Sequence, residues 1–460
     1  MKCAVLGFPV NHSLSPIIFR YLSLKFHRKL DYSKIEMLPE NLNSFLQESR
    51  NTFLGFNVTI PLKEKVLESL DMASSEVELI GACNVLKIED GKIYGFNSDI
   101  YGIIYTIKQY PAVLGQVSLT PCLILGTGGA SKACIYALAK LGAKKIFVFS
   151  RNSQQEDDPF SWTKKIEDAF VHLSVEIVTS SSKILSDSKI GIIINATPLG
   201  MKGQAKGDDY FQLIKQLHFS PQALAFDLIY NPSATTFLNI VSSLTQNQVG
   251  GMLMLAAQAI KTWEWWFGGA IESAVFNKIV NILEGTLKLK ESHHTIFLCG
   301  FMGAGKSTVG EILANNLGFE FVDLDQKIVL YSNKTIKELF LEGEDNFRKI
   351  ESRLLKEIQF MGQQVISLGG GVLEFFDHLK WIKNKGLLIY LQTSEAELEQ
   401  RLFVEGKAID DHRPLLKSGA WKEMHQTRIK KYQQAHISQL TDGFSPSEIV
   451  FEILDKAKCL

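Results

Sequence analysis

The stretch that decides the fold is CLILGTGGASKACIYALAKLGAKKIFVFS, residues Cys122 to Ser150. A short apolar strand runs into a glycine-rich turn, an apolar helix follows to about Leu141, and a second strand ends at Ser150. This is the order of a βαβ unit, in which backbone N–H groups at the start of the helix can approach a pyrophosphate. The stretch predicts α/β architecture and a dinucleotide site, with a plain structural turn as the alternative.

The residues after the second strand bear on the choice of dinucleotide. An acidic side chain usually stands there when a ribose 2′-hydroxyl is bound, but this chain has Ser150 and then Arg151. A guanidinium can hold a 2′-phosphate with two hydrogen bonds, whereas a carboxylate would repel it. The pattern favours NADP over NAD, and a solvated surface arginine is the alternative.

The rest of the chain repeats this alternation of strands and helices. Two more glycine-rich turns between a strand and a helix lie around Gly7 and Gly300, and the polar segment LKLKESHH separates the last of them from what precedes it. Alternating elements predict α/β units with mostly parallel sheets. The predicted domains are a first α/β domain at 1–102 (completed by helices at about 241–286), a Rossmann domain at 103–240, a linker at 287–293 and a further α/β domain at 294–460.

Composition excludes several classes of function. The chain has 460 residues and a formal net charge of +0, without a basic tail, so we expect neither nucleic acid nor a membrane surface as a partner. Six cysteines lack the paired spacing of metal sites, and the first residues lack a secretory apolar core. Together these features predict a cytoplasmic protein with reduced thiols.

Two serines crowd the entrance to the first helix, in the stretch VLGFPVNHSLSP. Ser15 followed by Pro16 predicts an N-cap and the first helical residue, and Ser13 stands just before them. Because a helix N-terminus attracts anions, the two hydroxyls could hold a carboxylate. Simple capping is the alternative, and it explains Ser15 but not Ser13 or His12.

A lysine stands at an unfavourable position in GFNVTIPLKEK. Pro61 is predicted to open a helix, which would put Lys63 in its first turn, where a cation is disfavoured. Lys63 is then either exposed and paired, for example with Glu64, or functional as a proton donor. Asp99, at the junction with the nucleotide unit, could face Lys63 across a cleft as an acid/base partner.

With these pieces, residues 1 to about 285 resemble the shikimate dehydrogenase family. The motifs occur in order as HSLSP, NVTIPLK, GACN, GFNSD, GTGGAS, SRN, NATPLGM, DLIYNPSATTFL and GGMLMLAAQ. The resemblance implies NADPH-dependent reduction of 3-dehydroshikimate to shikimate, with Lys63 and Asp99 as the catalytic pair. It implies substrate contacts at Ser13, Ser15, Asn57, Thr59, Asn84, Tyr230 and Gln258. It implies cofactor contacts at Gly126, Gly128, Gly129, Ala130, Ser150, Arg151, Asn195, Met201 and Gly251.

The chain departs from the family pattern at two positions. Ser150 stands where asparagine is usual, and a second basic residue soon after Arg151 is absent, which weakens the prediction of NADP selectivity. Ser98 stands where the family has threonine, a change that keeps the hydroxyl.

The third glycine-rich turn, GFMGAGKST, satisfies the P-loop pattern between the strand TIFLC and an apolar helix. Backbone N–H groups of such a loop cradle phosphates, the lysine reaches the β and γ oxygens, and the serine ligates Mg²⁺. The predicted ATP contacts are Gly303, Ala304, Gly305, Lys306, Ser307 and Thr308.

Downstream acids and arginines make residues 294 to 460 resemble the shikimate kinase family; taken singly, each could be an ordinary solvated residue. The resemblance implies shikimate contacts at Asp325, Arg348, Gly370, Gly371 and Arg428. It implies that Asp325 accepts the proton of the attacking hydroxyl, that Arg413 on a lid stabilises the transferred phosphoryl group and contacts ATP, and that Ser307 and Asp323 place Mg²⁺.

The two resemblances predict one bifunctional enzyme of aromatic amino acid (chorismate) biosynthesis, monomeric or homodimeric, that makes shikimate and then phosphorylates it. One alternative is a quinate/shikimate dehydrogenase fused to another small-molecule kinase. The other is that one domain is a non-catalytic regulatory module.

Overall fold

The computed structural model describes residues 1–150, 161–179, 188–358, 362–404, 407–408 and 421–460. The chain divides into two compact units, Met1–Val280 and Asn281–Leu460. Each unit has its own sheets and its own buried apolar clusters. The α/β class predicted from the sequence is confirmed in both units.

The first sheet of the first unit is mixed. Its strands are β1 (Lys2–Gly7), β2 (Asp31–Glu36), β3 (Gly55–Val58), β4 (Met72–Ala73), β5 (Val85–Glu89) and β6 (Lys92–Phe96). They lie in the order β2-β1-β3-β5-β6-β4, and the β3–β5 and β5–β6 pairs are antiparallel. Alternation along the chain did not predict these antiparallel pairs. A tight turn between Glu89 and Lys92 joins β5 to β6, whereas β4 lies between β3 and β5 in the sequence.

The second sheet contains the stretch on which the fold prediction rests. Its strands are β7 (Cys122–Leu125), β8 (Lys145–Phe149), β9 (Ser174–Val178), β10 (Lys189–Asn195), β11 (His218–Asp227) and β12 (Asn247–Val249). All described pairs are parallel, in the order β12-β11-β10-β7-β8-β9. This is the doubly wound order of a Rossmann sheet, whose ligand crevice lies at the carboxyl ends of its strands beside β7 and β10.

The second unit is built on a parallel sheet of continuous apolar strands. These are β13 (Thr295–Cys299), β14 (Glu320–Asp323), β15 (Gln364–Ser367), β16 (Leu387–Gln392) and β19 (Ile437–Leu440), in the order β14-β15-β13-β16-β19. Every residue of β13 and β15 is buried, as expected for strands covered by helices on both faces. Two short strands, β17 (Phe403–Val404) and β18 (Lys407–Ala408), pair antiparallel.

Helices connect and cover these sheets. In the first unit they span Ser15–Lys25, Leu42–Ser49, Ser75–Ile80, Asp99–Lys108, Pro111–Leu114, Gly129–Lys140, Ser161–Ala169, Asp208–Gln212, Thr236–Val241 and Met252–Phe267, with 3₁₀ turns at Pro39–Asn41, Lys65–Ser69 and Leu213–Gln216. In the second unit they span Lys306–Leu317, Leu324–Ser332, Ile336–Glu342, Glu344–Ile358, His378–Lys385, Glu395–Leu402, Trp421–Tyr432 and Pro446–Ala457, with a 3₁₀ turn at Val372–Glu374. None of the helices in the described ranges is long and apolar enough to cross a bilayer.

One helix, Ser273–Ser292, contains the division between the units, which falls after Val280. The predicted linker is 287–293, and its residues 287–292 are the last turns of this helix. The polar composition of this stretch does not distinguish a loop from a helix, because the exposed face of a helix is also rich in polar residues.

A close crossing of two helices shapes the first unit. Helix Asp99–Lys108 packs on helix Met252–Phe267 at Gly102, where an added Cβ would lie 2.7 Å from the carbonyl oxygen of Met254. No larger residue fits this spacing without moving one helix, so glycine sets the distance between them.

Candidate active sites

A cavity of about 180 Å³ in the first unit brings the predicted substrate contacts together. It lies between the mixed sheet and the carboxyl ends of the Rossmann strands. Its lining includes Ser13, Ser15, Asn57, Thr59, Lys63, Asn84, Asp99, Tyr230 and Gln258. These are all seven predicted contacts and both members of the predicted catalytic pair.

Lys63 and Asp99 form an ion pair within this cavity. The Nζ–Oδ2 distance is 2.5 Å, and the two side chains are 15% and 7% exposed. The second carboxylate oxygen, Oδ1, accepts a hydrogen bond of 2.8 Å from Nδ2 of Asn84. Asp99 is the first residue of its helix, where a negative charge is favourable, so one carboxylate is held from two sides and orients the ammonium.

The local reason predicted for Lys63 is wrong. Pro61 does not open a helix: the chain turns there, and a 3₁₀ turn begins only at Lys65. Lys63 is therefore not in the first turn of a helix. Its ion pair with Asp99 fixes the position of its side chain. Its backbone is held by a hydrogen bond that Cys83 N donates to Lys63 O.

The two serines lie at the helix start as predicted, but one position differs. Helix Ser15–Lys25 begins at Ser15 itself and the preceding Leu14 is the N-cap, so Ser15 is not the capping residue. The hydroxyls of Ser13 and Ser15 lie 3.2 Å apart, and both side chains line the cavity. Tyr230 faces the same corner, where burial raises the pKa of its phenol and a hydrogen bond to Ser13 opposes that rise.

A second cavity of about 700 Å³ lies at the glycine-rich turn after β7. It is lined by the predicted residues Gly126, Gly128, Gly129, Ala130 and Ser150, and by Lys63. A Cβ at Gly128 would meet nothing within 4 Å, and helix Gly129–Lys140 begins with no side-chain cap on its N–H groups. An open glycine cradle before uncapped N–H donors fits a pyrophosphate, so the residues present suit a dinucleotide.

The remaining predicted cofactor residues fall in different places. Met201 and Gly251 line the first cavity together with Ala130. Asn195 is fully buried and lines neither cavity; it donates to Oδ1 of Asp227 over 3.0 Å, and its own Oδ1 accepts from Thr197. The structure therefore gives Asn195 a place behind the cavity wall. Arg151 lies outside the described residues.

Asp227 receives that hydrogen bond at the end of β11. Its carboxylate also accepts a hydrogen bond of 3.1 Å from Ile229 N and one of 2.6 Å from the Thr235 hydroxyl. Burial raises the pKa of Asp227 to about 6 although all three neutral donors lower it. This buried carboxylate fixes the loop that carries Tyr230.

The second unit contains a cavity of about 650 Å³ at the P-loop. Its lining joins phosphate-loop residues with predicted acceptor contacts: Gly303, Gly305, Lys306, Ser307, Thr308, Asp323, Asp325, Arg348, Gly370, Gly371 and Arg428. Ala304 is buried beside the loop and does not line the cavity. Arg413 lies outside the described residues.

The P-loop side chains are arranged for phosphate and metal chemistry. Lys306 Nζ donates to the carbonyl oxygens of Gly300 and Phe301 at 3.0 and 3.1 Å, so it lies along the loop. Ser307 Oγ lies 2.5 Å from Oδ2 of Asp323. A hydroxyl and a carboxylate side by side fit Mg²⁺, which takes few protein oxygens when phosphates and water complete its shell. No larger cluster of His, Cys, Asp or Glu suited to a metal occurs in the described ranges.

Arg348 is buried in the opposite wall. Its side chain is 4% exposed and donates to Glu351 at 2.8 Å and to Glu344 at 3.0 Å. A Cβ at Gly371 would lie 2.7 Å from Nη2 of Arg348, so glycine is required for the guanidinium to lie against the backbone. Arg428 lies beside Gly370 and completes a cationic wall.

Comparisons with known proteins separate the two units in the same way. Residues 5–86 match the family model described as the shikimate dehydrogenase substrate binding domain. The shikimate dehydrogenase (NADP(+)) of Clostridium beijerinckii is 33% identical over 289 residues, which are 62% of this chain and 98% of that protein. The chain belongs to the shikimate dehydrogenase family.

Solved structures agree with this assignment for the dehydrogenase part. A chorismate mutase/shikimate 5-dehydrogenase fusion protein from Clostridium acetobutylicum matches with a TM-score of 0.52 and 30% identity, over 62% of this chain and 98% of that one. Shikimate dehydrogenase 1 from Peptoclostridium difficile matches with a TM-score of 0.50 and 28% identity, over 62% of this chain and 97% of that one. Residues 302–458 match the family model described as shikimate kinase, so this dehydrogenase is fused to a shikimate kinase domain.

Sequence reasoning missed two charged residues of the kinase domain. Glu351 is 1% exposed at its side chain, pairs with Arg348, and has a pKa raised to about 7, chiefly by burial. Arg401 lies beside the phosphate loop, with Nη1 3.4 Å from the Gly303 carbonyl oxygen. The spacing of three from Arg348 on one helix face was the available signal for Glu351; nothing local marked Arg401.

Proposed function

We propose that the chain catalyses two consecutive reactions. The dehydrogenase part reduces 3-dehydroshikimate to shikimate with NADPH, and the kinase part transfers a phosphoryl group from ATP to shikimate, giving shikimate 3-phosphate. The observation that carries the proposal is the convergence of the seven predicted substrate contacts on the Lys63–Asp99 pair, at 2.5 Å, in one cavity. The quinate and regulatory alternatives have no comparable support.

In the first reaction the chain must supply a proton and hold the substrate. When bound, the reduced nicotinamide supplies the hydride that adds to the carbonyl carbon. Lys63 donates the proton to the carbonyl oxygen, and its ion pair with Asp99 orients the ammonium. The hydroxyls of Ser13 and Ser15 hold the substrate carboxylate without adding a charge near this pair.

In the second reaction the chain works by positioning and by offsetting negative charge. When bound, Mg-ATP supplies the phosphoryl group. The glycine loop and Lys306 hold its phosphates, and Ser307 and Asp323 hold the metal. Arg348 and Arg428 clamp the shikimate carboxylate, and Asp325 accepts the proton of the attacking 3-hydroxyl.

The remaining roles follow the sequence prediction. We assign Arg151 to the 2′-phosphate of NADP and Arg413 to the transferred phosphoryl group. For Asn195, predicted as a cofactor contact, we propose instead a supporting role behind the cofactor wall, through its hydrogen bond to Asp227. The dehydrogenase substrate domain is assigned to 1–102 with the later helices to about 286, and the Rossmann domain to 103–240. The chain acts on small molecules in the cytoplasm, consistent with six free cysteines and a net charge of +0, as a monomer or homodimer.

Product analysis by mass spectrometry tests both assignments together. The purified chain is given 3-dehydroshikimate, NADPH and Mg-ATP, and shikimate 3-phosphate is expected. Lys306→Ala should stop at shikimate, because the dehydrogenase cavity is in the other unit. If the unaltered chain yields shikimate alone, the kinase assignment fails; if it consumes no 3-dehydroshikimate, the dehydrogenase assignment fails.

A further inference from the structure

Thr262 is a buried hydroxyl behind the dehydrogenase cavity. It lies on helix Met252–Phe267, one turn after Gln258, and is 0% exposed. Its Oγ1 lies 2.9 Å from the carbonyl oxygen of Gln258 and 3.1 Å from Oγ of Ser98, and it accepts 3.4 Å from Nδ2 of Asn57. Thr262 does not line the cavity, but it contacts two residues that do.

These contacts form a chain of hydrogen bonds whose two end links have a fixed direction, because Nδ2 of Asn57 only donates and Oε1 of Gln258 only accepts. Asn57 donates to Thr262, and Thr262 can donate to Ser98 or to the Gln258 carbonyl. Ser98 accepts 3.1 Å from Nδ2 of Asn84 and lies 3.1 Å from Oε1 of Gln258, to which its hydroxyl donates. The acceptor end of the Gln258 amide is thereby turned away from the cavity, toward Ser98.

The direction decides which end of each amide faces the cavity. Oδ1 of Asn57 accepts a hydrogen bond of 2.7 Å from the Tyr32 hydroxyl, and Nε2 of Gln258 donates one N–H to the Leu255 carbonyl oxygen over 3.1 Å. Each amide keeps a second N–H. We propose that Thr262 is a positioning residue of the dehydrogenase: its hydroxyl holds the Asn57 amide directly and the Gln258 amide through Ser98, so that their second N–H groups face the substrate hydroxyls.

This inference rests on the proposed function of the dehydrogenase cavity, and it explains a feature of the packing. A valine would fill the same volume at 262 but would leave Asn57 Nδ2 without this acceptor and Ser98 without this neighbour. Because a buried polar group without a partner is costly, the amides would then turn to find others.

The test is the oxidation of shikimate by NADP in the full-length chain. We expect Thr262→Val to raise the KM for shikimate about tenfold, the effect of one lost hydrogen bond, with kcat and the KM for NADP within about threefold of the unaltered chain. Thr262→Ser keeps the hydroxyl and should restore the KM to within about twofold.

A matched control is Thr106→Val. Thr106 is also buried and its hydroxyl donates to the carbonyl four residues earlier, Gly102 O, at 2.9 Å. This variant should share any stability cost but keep the KM for shikimate. Thermal melting of each preparation, together with a retained kcat for shikimate oxidation, reports that the first unit is folded.

Three results would overturn the inference. These are an unchanged KM in Thr262→Val, equal losses in Thr262→Val and Thr262→Ser, and a fall confined to thermal stability. If the unaltered chain does not oxidise shikimate at all, the proposed function fails and the inference falls with it, so the two failures are distinguishable.

Discussion

The two cavities are proposed to bind the same small carboxylic acid, yet they are built from opposite chemistry. The dehydrogenase cavity offers hydroxyls and amides around one ion pair, and its described lining contains no arginine. The kinase cavity places Arg348 and Arg428, 3% and 7% exposed, beside the phosphate loop. The difference reflects what else each site must hold.

A proton donor and a polyanion make different demands on their surroundings. In the dehydrogenase cavity an added cation would repel the Lys63 ammonium and compete for Asp99, so neutral donors are the compatible way to hold a carboxylate. In the kinase cavity the acid must approach a phosphorylated nucleotide. Two like-charged ligands close together require cations between them, and Arg can offer two parallel hydrogen bonds to each.

The largest effect should come from removing the single cation of the dehydrogenase pair. Lys63→Ala is expected to lower the rate of 3-dehydroshikimate reduction by about 10³-fold or more, because the proton donor is lost, while phosphorylation of added shikimate stays unchanged. Both rates are measured on one preparation. Lys87→Ala, at a lysine paired with Glu89 outside the cavity, serves as the control.

If reduction and phosphorylation collapse together in a folded Lys63→Ala chain, the separation of the two cavities is wrong.

Removing one kinase arginine should have a smaller but still large effect. Arg348→Met is expected to raise the kinase KM for shikimate about 100-fold, since it removes a charged clamp and leaves Glu351 buried without its cation. Steady-state kinetics at saturating Mg-ATP measure it.

The double variant Arg348→Met/Glu351→Gln separates these two causes. It should regain stability but not affinity, because the buried charge is gone while the clamp is still missing. A KM that returns to normal in the double variant would mean that Arg348 only compensates Glu351.

A neutral donor of the first cavity should matter less than an arginine of the second. Ser13→Ala is expected to raise the dehydrogenase KM for shikimate about tenfold, the effect of one hydrogen bond to a charged acceptor, with kinase KM unchanged. Ser44→Ala, an exposed serine bonded to the Asn41 carbonyl, is the control. An effect of Ser13→Ala as large as that of Arg348→Met would contradict the contrast between the cavities.

Two buried carboxylates repeat the contrast, and their effect is expected on stability and not on catalysis. Glu351 is held by an arginine, whereas Asp227 is held by three neutral donors and has a pKa of about 6 against 3.8 for the free group. Since this folded pKa is raised, ionisation of Asp227 costs stability as pH rises from about 4 through about 6. Over that range, the free energy of unfolding of Asp227→Asn should therefore rise relative to that of the unaltered chain by on the order of 2–3 kcal/mol.

Melting curves between pH 4.5 and 7.5 measure that gain. Asp71→Asn is the control, because the pKa of Asp71 is lowered, chiefly by its hydrogen bond from Arg50, and the carboxylate is already ionised over most of this range. Its difference from the unaltered chain should stay nearly flat. A flat difference for Asp227→Asn as well would show that Asp227 is not protonated in the folded protein near pH 5.

Much of both cavities could be predicted from short motifs, because glycine-rich turns and P-loops are defined by local backbone requirements. The tertiary reasons were less accessible. The sequence predicts Asp99, 36 residues away, as the partner of Lys63, but it places Lys63 in a helix that does not form. Asn195 belongs to a motif, but its side chain donates a hydrogen bond to Asp227. A polar residue at the end of a strand looks the same in sequence whether it contacts a ligand or another side chain.

Glu351 and Thr262 show the same limit from the other side. A glutamate in a helix rich in charged residues and a threonine within an apolar helix look ordinary in sequence, and only their neighbours give them a role. Antiparallel pairing of β3, β5 and β6 was likewise invisible to a rule based on alternating elements.

The close crossing at Gly102 has a consequence for redesign. Its helix begins with Asp99, and the helix it touches carries Gln258, whose Cβ would lie 3.3 Å from a Cβ at 102. A residue outside the dehydrogenase cavity thus acts as a spacer that sets its width. A larger residue at 102 would push the two helices apart and misalign Lys63 and Asp99 with the Gln258 amide. To fit a bulkier acid, a protein engineer should therefore shorten side chains that line the cavity and keep glycine at 102.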